Sequence, residues 1–271
     1  MEVLIRFLII TGIVLPLVPD EAFGPFGVLR PRDIWRMVVL ISGLSFVGYV
    51  LMRVGASARS YLLSGLLGGL VSSTATALAY ARAARDAATP RRYEALVILG
   101  ASTAFVRIAI VLGVVAPVLL LRVAPVLIVM LAVGLALGFL AHRAAPQAVE
   151  PHVYSNPLSM KAALAFAGIY ALVLFLSAAA GEYFAEAGTY AVTGLAAMVG
   201  ADAPTLSLAR LATGGQVGFE PAAWGISMVA IMATLGKVGV VLLTGRGEFV
   251  RRVSLALVVM AVAGTAVLSQ L

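Results

Sequence analysis

The chain has 271 residues, of which 62% are hydrophobic and 11% charged, with a mean hydropathy of +1.07. Soluble domains carry about 25% charged residues, so this composition excludes an ordinary soluble enzyme, a disordered tail and a nucleic-acid-binding domain. The formal net charge of +7 lies in short gaps between apolar runs, where loop arginines at a membrane surface account for it better than a nucleic-acid partner does.

A membrane helix needs about 20 mainly apolar residues. Nine segments qualify, at about 2–18, 34–53, 59–82, 94–117, 123–142, 158–180, 187–211, 221–244 and 251–270. The first is short and ends at Pro16 and Pro19. Its single positive charge, Arg6, and the lack of a small-residue cleavage site make it a retained helix rather than a signal peptide. DEAFGPFGVLRPR over 20–32 is an interfacial loop, with Trp35 placed for an aromatic belt. The hydrophilic stretch 143–156 is a linker near the middle of the chain. No segment is long enough for a soluble domain. The expected fold is all-α: a polytopic integral membrane helical bundle of about nine transmembrane helices.

The chain repeats itself, which is the strongest organisational signal. YLLSGLLGGL at 61–70 aligns with YAVTGLAAMV at 190–199, Ala77–Arg82 with Thr205–Arg210, and Ala101–Val111 with Ile231–Val241, at offsets of 128 to 130. This predicts an N-terminal helix and loop over 1–33, a four-helix repeat over 34–143, a linker over 144–157 and a second four-helix repeat over 158–271. Duplicated halves are a transporter architecture, with the substrate site at the repeat interface near the midplane.

Charge bias gives a conflicting topology. Arg30, Arg32, Arg85, Arg91 and Arg92 place loops 19–33 and 83–93 in the cytoplasm. Nine crossings then put the cluster Arg246, Arg251 and Arg252 outside. Four helices per half make the repeats parallel, whereas the swapped charges suit an inverted pair. Either one segment is re-entrant or the bias is weak.

Ionisable groups deep in a membrane cost several kcal/mol and are functional candidates by default. Arg107 lies 13 residues after Glu94 and 15 before Arg122, about 20 Å from each end at a helical rise. Lys237 is its counterpart in the second half, near enough to Arg246 to snorkel. Asp202 sits in MVGADAPTLSL, where Gly200 and Pro204 predict a broken or kinked helix. The matching place in the first half, LVSSTAT, carries Ser72, Ser73, Thr74 and Thr76. Together these residues are the candidate ion-binding set, because broken helices expose backbone groups that replace an ion's hydration shell. Asp202 is the candidate metal ligand or proton carrier. Arg107 and Lys237 either bind an anion or balance Asp202, and two bases against one acid lean to an anion. The alternative is purely structural: Asp202 pairs with Arg107 or Lys237 and locks helices together. The hydroxyls then serve as helix glue, and Gly65-x-x-x-Gly69 and Gly134-x-x-x-Gly138 as packing faces.

Catalytic motifs are absent: there is no HExxH, G-x-S-x-G, GxxxxGK[ST] or GxGxxG. GGLVSST lacks the lysine of a phosphate loop, which excludes a nucleotide site. With no cysteine and only His142 and His152, thiolate and multi-histidine metal sites are not expected, and neither is a cofactor.

GPFGVLRPRDIWRMVVLISGLSFVGYV, SGLLGGLVSSTATALAYARAAR and GLAAMVGADAPTLSLARLA with the later ATLGKVGVVLLTG resemble the uncharacterised membrane domain that often follows an MgtC/SapB module in bacterial proteins. The resemblance implies a multi-pass protein of the bacterial inner (plasma) membrane, loosely associated with magnesium homeostasis. It assigns no functional residue. The reading is therefore a non-enzymatic transporter or channel for a small inorganic ion, a divalent cation such as magnesium by resemblance, with its site between the repeats. Its partners are the lipid bilayer, the ion and a homo-oligomeric copy. A membrane regulator acting through a partner protein and a lipid-handling protein are the alternatives.

Overall fold

The computed structural model describes residues 9–24, 26–54, 61–144 and 160–270. Within the described residues, each of the nine apolar segments contains helix. The first, described from residue 9, forms π-type turns over Ile9–Val14 and one α-turn over Leu15–Leu17. Then come α1 (Pro31–Val54), α2 (Tyr61–Asp86), α3 (Glu94–Val115), α4 (Pro117–Ala144), α5 (Met160–Val199), α6 (Asp202–Thr213), α7 (Phe219–Thr244) and α8 (Gly247–Leu268). Among the described residues, seven helices are long and apolar enough to cross a membrane, and α6 is too short to do so alone. Leu121, Ile128, Leu172, Leu243, Leu255 and Val262 stand exposed on the outside, as lipid-facing residues must. The protein is a multi-pass helical membrane bundle.

The chain reverses direction at three places, and close contacts show where. In α2 the backbone is extended at Ser72 (φ −164°, ψ 106°). A Cβ built on Gly100 of α3 would lie 2.7 Å from Thr76 and 3.2 Å from the carbonyl of Gly65. In a straight helix those two residues would sit about 16 Å apart along the axis. Both touch one glycine, so α2 is a hairpin with Ser72 at its tip. The second half repeats the device. A Cβ on Gly225 would lie 3.0 Å from both Tyr190 and Leu208, so α5 and α6 fold back on each other around Gly200–Ala201. The third reversal is inside α5, at Ala185 (φ 52°, ψ −149°), a conformation that a Cβ disfavours. There Thr189 donates to the carbonyl of Ser177 at 3.2 Å. The 40-residue α5 is thus two antiparallel legs, 160–184 and 186–199.

Each half therefore runs crossing, re-entrant hairpin, crossing, crossing. The first half is α1, the α2 hairpin, α3 and α4. The second is the first leg of α5, the hairpin of its second leg with α6, then α7 and α8. Three crossings per half make the second half enter from the face opposite to the first. Arg252 lies 3.9 Å from Glu94 and 3.1 Å from Glu248, so the starts of α3 and α8 share one face. Asp33, at the start of α1, pairs with Arg210 at the base of the second hairpin, which fixes the other face. The expectation that loops 19–33 and 83–93 lie together is overturned: the α2 hairpin returns to the face it left, so they lie on opposite faces. The basic clusters around Arg91 and Arg251, which nine crossings would separate, fall on the same face.

Small residues let the hairpins approach α3 and α7 closely. Gly65 packs on the backbone of Leu96, and Gly69 on Gly100 and Thr103. Gly134 and Gly138 of α4 seat Ser102 and Leu99 of α3, as their spacing predicts. Gly236 of α7 abuts the backbone of Met198. Trp35 departs from the expectation of an aromatic belt. It is buried against Val38 and Ala163, because the N-terminal turns cover it. Trp224, packed on Tyr190 with ring centroids 4.9 Å apart, is exposed.

The cysteine-free chain makes the topology directly testable. Single substitutions Arg91→Cys and Arg251→Cys should react with an impermeant maleimide from the same side of the membrane, and Gln216→Cys from the other. Labelling of Arg91→Cys and Arg251→Cys from opposite sides would show that the hairpins cross. Gly236→Ala should lower stability in thermal unfolding by more than the about 1–3 kcal/mol usual for overpacking, because backbone is what the new methyl meets. Gly239→Ala, with nothing within 4 Å, should be neutral.

Candidate functional site

The two hairpin tips meet at Arg107. A hairpin tip leaves carbonyls free at the end of its first leg and amides free at the start of its second. In α2, Ser72 caps the second leg by accepting from the amide of Ala75 at 3.3 Å, and Thr76 donates to the Ser72 carbonyl at 2.8 Å. The freed carbonyls of Leu70 and Val71 each accept from Arg107 Nη1 at 2.8 Å. The same nitrogen reaches Ser45 Oγ of α1 at 3.3 Å, and Ser45 itself donates to the Val71 carbonyl at 3.2 Å. The other edge of the guanidinium takes Asp202, the first residue of α6: Nε to Oδ1 at 2.9 Å and Nη2 to Oδ2 at 2.8 Å. This is a bidentate, charge-assisted pair, the strongest geometry a carboxylate can adopt with a side chain.

Sequence and structure agree on how the second tip forms. Helix α5 ends at Val199, Gly200 leaves the helical path, and α6 restarts at Asp202. Pro204 occupies the third position of α6, where a missing N–H costs no hydrogen bond. The break falls two residues before Asp202, so the carboxylate projects from a helix start. No side chain caps that start.

Burial grades the set. Arg107 is 7% exposed and Asp202 28%, so the tip junction is open on the Asp202 side. Ser73 and Thr74 are half-buried there, and Thr76 is buried. Lys237 is 3% exposed and donates to the carbonyl of Ala233 on its own helix at 3.0 Å. Its stem runs back one turn along α7, whose Gly236 abuts the backbone of Met198 just before the second tip. It does not snorkel to the surface. Asp202, Arg107, Lys237 and the Ser72–Thr76 segment thus share one place.

Both oxygens of Asp202 face Arg107, so in this arrangement they are not directed at a metal. Among the described residues no group of three or more His, Asp or Glu is placed to hold one. His142 ends α4, and His152 lies outside the described residues. Sequence reasoning missed Ser45 and the carbonyls of Leu70 and Val71. A serine in an apolar helix carries no positional signal, and a backbone carbonyl carries none at all. It also passed over Thr205, buried on α6 with no hydrogen-bond partner for its Oγ1.

Removing one partner of a buried ion pair costs about 3–5 kcal/mol because the other is left unpaired. Arg107→Ala should therefore destabilise by that order in thermal or denaturant unfolding. Asp202→Ala in that background should add little, giving a coupling energy above about 1 kcal/mol in the double-mutant cycle. Additive effects would show that the pair does not hold the tips.

Similarity to known proteins is consistent with an uncharacterised membrane domain. Residues 39–245 match the family described as Domain of unknown function (DUF4010). A protein of Aquifex aeolicus (strain VF5), described as an uncharacterized protein, is 33% identical over 90 residues, which is 33% of this chain and 39% of that relative's length. No solved structure matches. The family match covers most of the chain, and the chain belongs to the DUF4010 family.

Proposed function

We propose that the protein is a membrane transporter or channel for a small inorganic ion, working at the junction of the hairpin tips. The observation that carries this reading is the pair of re-entrant hairpins, one from each face, whose tips are joined at mid-bundle by Arg107 and Asp202. Half-helix ends of this kind place backbone carbonyls and amides where an ion can exchange its hydration shell for protein dipoles. The two halves enter from opposite faces, so the same unit can open to either side by exchanging the roles of the halves. The site is complete within one chain, and a homo-oligomer would repeat it. The reading needs no bond-making chemistry and no nucleotide, so transport would run on an ion gradient.

The face carrying Arg85, Arg91, Arg92, Arg246, Arg251 and Arg252 is the cytoplasmic one by the excess of arginine. The resemblance to a domain associated with MgtC/SapB modules favours the bacterial inner membrane and makes magnesium the first cation to test. The residue charges pull the other way, toward an anion. A second reading has its own observation. Arg107 and Asp202 satisfy each other, as they would in a non-transporting regulator whose tips are simply locked.

Flux into proteoliposomes separates the readings. Magnesium, sodium, potassium, protons, chloride, sulfate and phosphate are to be tested under both polarities of voltage and pH gradient. The expected result is flux of one ion in the wild type, reduced at least tenfold in Asp202→Asn with the folded yield retained. No flux of any ion would favour the regulator, and unchanged flux per folded molecule in Asp202→Asn would remove Asp202 from the path.

A further inference from the structure

The tip junction holds two cations and one anion. Arg107 and Asp202 cancel across a bidentate contact. Lys237 is left over, 3% exposed, with one of its three N–H donors on the Ala233 carbonyl. An ammonium taken out of water without a partner costs several kcal/mol, and among the described residues no carboxylate lies within ion-pairing distance of it. Its chain neighbour Gly236 abuts Met198, four residues before Asp202, and the first turn of α6 there is uncapped. Pro204 has no amide hydrogen, and the amide of Thr205 is spent on the Ala201 carbonyl at 3.1 Å. The amides of Asp202 and Ala203 remain, at the positive end of a 12-residue helix. Thr205, three residues after Asp202 and so on the same face of α6, is 1% exposed, and its Oγ1 has no partner.

We propose that Lys237, Thr205 and the first turn of α6 form a subsite for a monovalent inorganic anion. One negative charge brings the junction to neutrality. It gives Lys237 a counter-ion and Thr205 an acceptor, and it lies over two uncapped amides. Asp202 does not block it, because both its oxygens turn toward Arg107. The assignment names the substrate class of the tip junction and rests on reading that junction as the ion site. Arg107, by contrast, already bonds protein oxygens through Nε, Nη1 and Nη2.

The test is equilibrium binding, independent of flux. The full chain, purified in detergent, is heated while its tryptophan fluorescence is followed. Chloride replaces gluconate at constant ionic strength, with nitrate as a second probe. The expected result is a melting midpoint that rises with chloride and saturates. The rise is lost in Lys237→Met, kept in Lys237→Arg and needs several-fold more chloride in Thr205→Val. Lys237→Met removes a buried charge and keeps the volume of the stem, so it should fold. A wild-type midpoint that is the same in chloride, nitrate and gluconate overturns the proposal, and so does a full chloride response in Lys237→Met. Cation flux without an anion response overturns this subsite and leaves the transport reading standing. An anion response without flux upholds the subsite and removes transport.

Discussion

One guanidinium holds the centre of this protein together. Arg107 reaches from α3 to the carbonyls of Leu70 and Val71 on one hairpin and to both oxygens of Asp202 on the other. In a membrane every backbone polar group must find a partner within the protein. A broken helix is therefore tolerable only where something takes its freed groups. Arginine suits this place because its planar fork can bond a carboxylate along one edge and carbonyls along the other without losing its charge. A lysine at 107 would offer a single point of donation and could not span both tips.

The second half lacks such a fork, and its tip is built differently. Lys237 stands where the repeat places the counterpart of Arg107, yet it bonds to its own helix and not to the second tip's carbonyls. The two halves are thus alike in topology and unlike in charge. One tip is sealed by protein and the other keeps an unspent ammonium beside an uncapped helix start.

Much of this was legible in the sequence. Apolar segment lengths give the helices. The rarity of charges in apolar runs singles out Arg107, Asp202 and Lys237, which share the tip junction. Gly200 and Pro204 mark the second break. What the sequence concealed was direction. A re-entrant hairpin and a crossing helix have the same apolar length, and nothing in SGLLGGLVSSTATALAYARAAR says that the chain turns at Ser72. The only trace was the conflict between the basic clusters of the two halves, which disappears once two segments return to their own face. The break at Ser72 lacks a proline or glycine because an extended φ near −164° is open to any residue. The partners of Arg107 were hidden for another reason: backbone carbonyls are invisible to residue identity.

Arg107 is thus the tie between two tips, and the distance between those tips reports on it. Spin labels on Ser73→Cys and Ala201→Cys, one on each tip of the cysteine-free chain, would give their separation by pulsed electron resonance in bilayers. A short, narrow distance distribution is expected in the otherwise native protein, lengthening and broadening in Arg107→Gln. A distribution unchanged by Arg107→Gln would contradict the tie, because the tips would then be held by packing alone.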